Sequence, residues 1–179
     1  FHPPAVDAPT AALTPEQSAV YADFIESLAK MNFKYVAIST FPLDMSGIEK
    51  DVACLKGLTV DRPEKSKEVI HILNSSTVAK RAIRFVGKDD ETAILKQRDI
   101  AKARGDTDMH GMKRDPGILA LSEIAFDSGH RFAVLKYVFL CGTKCNSGAI
   151  VVLEKVGAHW TGTTRRPCSF EINRENPRS

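Results

Sequence analysis

The fold is decided by residues 118–156, which read ILALSEIAF, DSGH, RFAVLKYVFL, CGTKC, NSG and AIVVLEKV. The three long apolar runs are separated by short segments rich in glycine, serine, aspartate and asparagine, which is the composition of turns. A fourth run, His159–Ile172, follows directly after Gly157. Four strands joined one after another by tight turns predict an antiparallel β-meander.

The second run is apolar on both faces except at Lys136. Strand side chains alternate between the two faces, so the run divides into two sets. One set is Phe132, Val134, Val138 and Leu140, and the other is Leu135, Tyr137 and Phe139. A strand that is apolar on both sides is typical of a central position with both faces covered. We therefore expect helices to pack on the sheet.

The first helix is predicted from its start signals and its apolar stripe. Thr14 is the N-cap, Pro15 stands in the first turn and Gln17 completes a capping box, while Asn32 ends the helix. The stripe consists of Val20, Phe24, Leu28 and Met31. Its spacing of three and four residues predicts one face turned to the core.

The second main helix is predicted at Asp89–Ala103, with Asp89 or Asp90 as its cap and Gly105 as its stop. The remaining segments are shorter. Strands are predicted at Phe33–Thr40, Leu58–Asp61 and Glu68–Leu73, a short helix at Asn74–Arg81, and a brief apolar run covers Ile83–Val86.

These elements predict an α+β fold: an antiparallel sheet of four C-terminal strands and shorter N-terminal strands, packed with two main helices. The chain has 179 residues, which suits a single domain. We expect an extended leader over residues 1–13, one α+β domain over residues 14–173 and a flexible tail over residues 174–179.

Charge and hydropathy argue against two classes of partner. The net charge is only +3 and the basic clusters are short, whereas nucleic-acid-binding domains carry a stronger and more clustered excess. The longest apolar stretch, Phe132–Cys141, is interrupted by Lys136 and falls short of the roughly 20 residues that span a bilayer. The chain begins with Phe1 rather than methionine, which a removed signal peptide or a trimmed chain would explain.

Four cysteines, Cys54, Cys141, Cys145 and Cys168, permit three sets of disulfides. Cys141 and Cys145 flank a Gly-Thr-Lys turn between two apolar runs, so this pair is favoured and Cys54–Cys168 follows by elimination. Disulfides persist in oxidising compartments. The predicted location is therefore the periplasm or the cell exterior.

Three other states of the cysteines stay open. A zinc site needs a second Cys or His pair at a suitable interval, and none follows Cys145. A redox-active dithiol is usually a C-x-x-C at a helix start, whereas this spacing is C-x-x-x-C on a hairpin. Free thiols in a cytosolic protein are the plain structural alternative.

A further pattern runs through residues 119–160. It consists of Ser122–Asp127, the Cys141-Gly142 turn with Cys145, Leu153–Lys155 and Trp160. In this order the segment resembles a module of uncharacterised secreted or periplasmic bacterial proteins, over about a quarter of the chain. The resemblance implies an export signal in the precursor and an oxidised Cys141–Cys145 hairpin. It carries over no catalytic residues.

No motif assigns a catalytic site or a cofactor. The chain lacks the G-x-S-x-G, H-E-x-x-H, phosphate-loop and dinucleotide patterns, and we expect no cofactor. The candidate catalytic residues are His71, within a predicted strand, and Glu123 and Lys136, which could face each other across neighbouring strands. If Glu123 and Lys136 were buried together, they would suit acid–base chemistry. The structural alternative is a hydrogen-bonded core histidine and a packing pair.

The candidate metal ligands are Asp106, Asp108 and His110. Two carboxylates and an imidazole in one short segment could hold a metal ion. The same composition is typical of a solvated loop, which is the favoured interpretation, so no metal is expected.

Three interpretations of the function follow. The favoured one is a non-enzymatic domain of the cell envelope or exterior that binds a peptide, glycan or protein on a disulfide-stiffened sheet. It predicts an apolar groove without paired titratable groups of shifted pKa. The alternative is a hydrolase with an unrecognised site, which requires two side chains among His71, Glu123 and the Asp106–His110 segment to converge in a pocket within hydrogen-bond reach. An inhibitor or immunity-like protein would instead display an exposed apolar patch or a projecting loop.

Overall fold

The computed structural model describes residues 10–44, 55–61, 69–73, 82–105 and 115–163. These residues contain two α-helices, Pro15–Ser27 (α1) and Lys88–Ala103 (α2), and a 3-10 turn at Ala29–Met31. Their strands are Thr10–Ala11 (β1), Tyr35–Ala37 (β2), Ile70–His71 (β3), Arg84–Val86 (β4), Ile118–Leu121 (β5), Ala125–Phe126 (β6), Phe132–Gly142 (β7), Cys145–Val156 (β8) and His159–Gly162 (β9).

The main sheet runs in the order β4-β2-β5-β7-β8-β9, with β6 also paired to β7, while β1 and β3 form a separate parallel pair. The α+β fold class is confirmed. The sheet, however, is mixed and not purely antiparallel, because β2 lies parallel to both β4 and β5. The reason is that α2 connects β4 to β5 and returns the chain in the same direction, as in a crossover connection.

The predicted meander is present. β5 and β6 both run antiparallel to β7, β7 to β8, and β8 to β9. The predicted strand Ile118–Phe126 is interrupted, however, because the Ser122 hydroxyl accepts the Lys136 N–H at 2.8 Å and donates to the Glu123 carbonyl at 2.7 Å. The chain then turns away from β7, and the Glu123 N–H donates to the Phe41 carbonyl at 2.7 Å.

Both faces of the sheet are covered around β7, as its apolar pattern predicts. Leu135 and Phe139 belong to the cluster that includes the α1 residues Tyr21 and Phe24. On the other face, Val138 packs in the cluster with Leu95 of α2. The rest of that face is covered by four apolar side chains from two loops, Leu43, Leu55, Leu58 and Val60.

The helix boundaries follow local signals, with two corrections. α1 ends at Ser27 and a 3-10 turn follows it, so the prediction that the helix continues to Asn32 is wrong, and Met31 of the predicted apolar stripe is 38% exposed. Thr14 and Gln17 form the predicted capping box of α1. The N-cap of α2 is Gly87, without a side-chain hydrogen bond, so the prediction of Asp89 or Asp90 as the cap is wrong. Those two aspartates stand in the first turn, where negative charge favours the helix dipole. Gly105, at φ +71°, ends α2 as predicted.

The shorter predicted strands are only partly formed. Val60 makes a single bridge to Asp127, and the segment around Ser39 bridges to Ile72 beyond β2. The predicted helix Asn74–Arg81 and the tail over residues 174–179 lie outside the described residues, as do residues 164–172 of the fourth predicted strand. Thr10 and Ala11 of the predicted leader form β1. Across the described residues, no helix combines the length and the apolar character that a bilayer crossing requires.

Candidate functional site

The candidate site lies where the parallel strands end. Beyond the last residues of β2 and β5, the chain continues as two neighbouring segments, residues 38–41 and 122–123. The Phe41 N–H donates to the Leu121 carbonyl at 3.1 Å, and Phe41 bridges to Ser122. In open sheets with helical crossovers, the region beyond the carboxyl ends of parallel strands is the usual place for a ligand.

β3 approaches the same region from the other side of residues 38–41. The Thr40 N–H donates to the His71 carbonyl at 3.0 Å, and the Leu73 N–H donates to the Ile38 carbonyl at 2.8 Å. Thr40 therefore lies between His71 and the segment that carries Glu123. This arrangement brings together residues that are 31 and 83 positions apart along the chain.

The Glu123 carboxylate is held by His71 and Thr40. Its Oε2 lies 2.8 Å from the Nδ1 of His71, and its Oε1 accepts the backbone N–H of His71 at 3.0 Å. The Thr40 hydroxyl also donates to Oε1. The His71 N–H is shared, because it also points to the Thr40 hydroxyl at 2.9 Å. The side chains of His71 and Glu123 are only 12% and 13% exposed, so water competes little for these contacts.

This geometry defines what His71 can do chemically. With Glu123 ionised, Nδ1 of a neutral imidazole carries the proton and donates it to Oε2, so that Nε2 holds the free lone pair. Nε2 has no hydrogen-bond partner within the described residues. The base half of a catalytic triad orients its histidine by a carboxylate in the same way. The described residues place no serine, cysteine or threonine side chain in hydrogen-bond contact with Nε2.

Tyr21 adds a buried hydroxyl at the edge of the site. Its hydroxyl donates to the Ser122 carbonyl at 2.7 Å, which fixes the residue before Glu123 against α1. Burial raises the pKa of Tyr21 well above its ordinary value, and the charge of Glu123 raises it further. Sequence reasoning missed Tyr21 and Thr40. Tyr21 is not part of the predicted stripe, but it lies three residues before Phe24, and this helical spacing could have identified it. Nothing in the sequence distinguishes Thr40.

Lys136 does not join this site. The residue opposite it is Ser122, whose N–H donates to the Lys136 carbonyl at 2.8 Å. On the other side, Lys136 pairs with Ile150 of β8. Among the described residues no ion pair links Lys136 to Glu123, whose carboxylate is directed to His71. The predicted contact between Glu123 and Lys136 is therefore replaced by a contact between Glu123 and His71.

Two sets of candidate residues lie outside the described chain. They are the metal candidates Asp106, Asp108 and His110, and the cysteines Cys54 and Cys168. Within the described ranges, no group of three or more His, Cys, Asp or Glu side chains could hold a metal ion.

The Cys141–Cys145 pair lies at the end of the β7–β8 hairpin and forms a disulfide with a Cα–Cα distance of 5.1 Å. Residues of α2 also form hydrogen bonds with this hairpin. Asp99 accepts the Thr143 N–H at 3.1 Å and the Thr143 hydroxyl, and Arg98 Nε donates to the Cys141 carbonyl at 3.1 Å. The disulfide therefore braces a turn that the helix also positions.

The other side chains noted in the sequence have structural places. Trp160 is 4% exposed and packs against Phe126, with ring centroids 5.8 Å apart. His130 occupies the hairpin tip with φ +49°, where its Nδ1 lies 2.7 Å from Glu16 of α1. The first contact packs β9 against β6 within the meander, and the second ties the meander to α1.

Comparison of the chain with protein-family models, with curated proteins and with solved structures found no match.

Proposed function

We propose that the protein is an extracytoplasmic hydrolase in which His71 is the general base. The observation that carries this proposal is the 2.8 Å contact between Nδ1 of His71 and Oε2 of Glu123. The hydrolase interpretation requires two titratable side chains to converge in a pocket within hydrogen-bond reach, and His71 and Glu123 lie within that reach. A binding domain does not require such a pair.

In this mechanism the lone pair of Nε2 removes a proton from a water molecule as that water attacks the substrate. The imidazolium then returns the proton to the leaving group as the scissile bond breaks, so that His71 is regenerated. Because no hydroxyl or thiol contacts Nε2 in the described part of the chain, water is the nucleophile we assign. Glu123 is a positioning residue that holds the imidazole in one tautomer and stabilises the imidazolium that forms. Thr40 is a second positioning residue, because its hydroxyl fixes the carboxylate.

The extracytoplasmic location is supported by the Cys141–Cys145 disulfide. Such bonds form and persist in the periplasm and outside the cell, whereas the cytosol keeps most thiols reduced. The resemblance of residues 119–160 to secreted and periplasmic proteins agrees with this location.

A second candidate function is a binding domain of the cell envelope for a peptide, glycan or protein. One observation favours it: the contacts of Glu123 join three backbone segments, those of Thr40, His71 and Ser122. A structural pair that ties β3 to the main sheet would make the same contacts. The two candidates differ in whether the loss of His71 removes a chemical activity or only weakens the fold.

The test is turnover of a panel of chromogenic esters, peptide amides and glycosides by the wild type, His71→Gln and Glu123→Gln. Loss of a general base lowers kcat by about 10²–10⁴-fold, so His71→Gln should fall in that range with little change in KM. Glu123→Gln keeps a hydrogen-bond acceptor, and its kcat should fall about 10-fold or more. The pH profile of its kcat/KM should also shift.

His159→Gln is the matched control, because the Nδ1 of His159 also lies near a carboxylate, at 3.5 Å from Asp23, but its side chain is 71% exposed. It should retain wild-type turnover. Thermal unfolding of each variant separates lost chemistry from lost fold. The hydrolase proposal fails if folded His71→Gln turns over as well as the wild type, or if no substrate of the panel is cleaved. Saturable ligand binding without turnover would support the binding domain.

A further inference from the structure

The outer edge of β3 is occupied by a short piece of the chain's own N-terminal segment. β1 consists of Thr10 and Ala11, which pair in parallel with Ile70 and His71. Both residues of β1 are exposed, so the pairing adds little apolar burial. A two-residue ladder without a buried face is at the weak end of sheet pairing. β1 is therefore an occupant that another strand can replace.

The register of β1 places it directly beside the candidate base. Ala11 is the register partner of His71, and register partners in neighbouring strands carry their side chains on the same face. A chain segment in the position of Ala11 therefore lies next to the imidazole. Ala11 is exposed, so a larger side chain can also be accommodated at this position.

The backbone of β3 has bonding capacity for such a strand. The N–H and carbonyl of His71 itself are directed to Thr40 and Glu123, at 2.9–3.0 Å. In a parallel ladder, alternate residues bond to opposite sides, so Ile70 and Ile72 bond outward and Ala11 lies between them. The N–H of Ala11 is thus the donor that a proline at this position would remove.

We infer that the edge of β3 is the docking site of an extended peptide, which replaces β1 as the neighbouring strand and lies beside His71. Strand addition of this kind relies on main-chain hydrogen bonds and suits a peptide rather than a glycan. The inference deepens the proposed function, since it names peptides as the substrate class, and it makes Thr10–Ala11 a self-blocking segment. Docking itself does not depend on hydrolysis, so the two can fail separately.

The experiment is a titration of full-length protein with a synthetic peptide of residues 5–13, followed by ¹⁵N–¹H NMR. The receptor is Ala11→Pro, whose own strand is weakened, compared with the wild type and with Ala12→Pro, which places the proline one residue beyond β1. A tethered segment competes at an effective concentration of about 1 mM. Ala11→Pro should therefore bind the peptide about 10-fold more tightly than the wild type or Ala12→Pro, with amide shifts concentrated at Ile70–Leu73.

A peptide that carries proline at its own position 11 is the matched ligand control and should shift these amides little. The inference is overturned if Ala11→Pro shows no shifts at Ile70–Leu73 at millimolar peptide, or if the wild type responds equally. If Ala11→Pro loses its dispersed spectrum, the double variant Thr10→Gly/Ala11→Gly replaces it, because glycine weakens the strand while keeping the N–H donors. Turnover by the His71 variants tests the hydrolase separately, so docking without turnover refutes only the chemistry.

Discussion

β7 and β8, on the antiparallel side of the main sheet, have 11 and 12 residues, whereas β2 and β4, on the parallel side, have three each. The long strands are covered by helices or chain segments on both faces, and they contribute to all three apolar clusters. The short strands end where Thr40, His71 and Glu123 meet. The antiparallel strands β5–β9, which we call the platform, are thus separate from the region that carries the candidate chemistry.

The comparison extends to how each region is held. β7 and β8 pair continuously from Phe132↔Glu154 to Leu140↔Asn146. β3, in contrast, is bound by two residues of β1 and by single bridges or side-chain contacts. Ile70 and Leu73 are buried, so the weakly held element here is the exposed pair β1, and such elements open at lower free energy than the core of a sheet. A segment that docks a peptide must come from the part of a protein that opens readily.

The largest expected effect sharpens this contrast. Leu135 in β7 and Val36 in β2 are both 0% exposed and belong to the same cluster around α1. We expect Leu135→Ala to lower the free energy of unfolding by about 3–4 kcal/mol, because it leaves a cavity at the centre of the platform. Val36→Ala removes fewer carbon atoms and should cost about 2 kcal/mol. Urea unfolding measures both losses.

Native-state hydrogen exchange supplies the second part of that test. Leu135→Ala should speed exchange throughout β5–β9, whereas Val36→Ala should act mainly on β2–β4. The exposed Val156, at 58%, gives the control Val156→Ala, which should cost no more than about 0.5 kcal/mol. Equal losses for Leu135→Ala and Val36→Ala, with identical exchange profiles, would mean that the sheet is one cooperative unit and that the contrast is wrong.

The platform could be predicted from the sequence because its signals are local. Alternating apolar residues, the turn at Asp127–His130 and the Cys141–Cys145 turn all lie within one continuous stretch. The parallel side could not, because its pairing depends on where α2 returns the chain. A three-residue strand such as Arg84–Val86 carries too little periodicity to reveal its direction or its neighbour.

For the candidate site, the sequence predicts two of the residues but not the contacts that they make. His71 and Glu123 were identified as titratable residues, but the pairing depends on the break at Ser122, where an apolar run stops following β7. Nothing in the alternation of residues 118–126 signals that break. Thr40 was missed because its role is set by the positions of His71 and Glu123 around it, which no local pattern records.

A smaller effect is expected at the platform's hairpin. In the loop-entropy model, a disulfide that closes so short a loop contributes about 2 kcal/mol, so Cys141→Ser/Cys145→Ser should lose about that amount in the free energy of unfolding. Because Asp99 and Arg98 form hydrogen bonds to the same turn, the hairpin should keep its native amide shifts in the double variant.

Asp99→Asn, which keeps the side-chain volume and one acceptor oxygen, is the companion variant for this hairpin. Combined with the double serine variant, Asp99→Asn should release the turn. It should then lower the free energy of unfolding by more than it does alone, since contacts that share a partner are not additive. A thiol assay of the unfolded wild type without reductant should detect no reaction at Cys141 and Cys145. Free thiols at these positions would remove the support for an oxidising compartment.

The smallest effect joins the two regions through Tyr21, which lies on α1 and bonds to the Ser122 carbonyl. Its pKa in the folded protein is raised above the ordinary value of 10.0 by burial and by the charge of Glu123. The folded state therefore holds the phenolic proton after the unfolded state has lost it. The resulting stability is complete below pH 10.0 and is lost as the pH rises through the folded-state pKa, at about 1.4 kcal/mol per pH unit.

Tyr21→Phe should remove that slope above pH 10.0 while costing about 1 kcal/mol at neutral pH through the lost hydrogen bond. Tyr137→Phe is the control, because burial alone raises the pKa of Tyr137. In Glu123→Gln, ultraviolet titration of tyrosinate should show the pKa of Tyr21 lowered and that of Tyr137 unchanged. Equal behaviour of the two tyrosines in Glu123→Gln would mean that the carboxylate does not act on α1, so the site and the platform would be electrostatically independent.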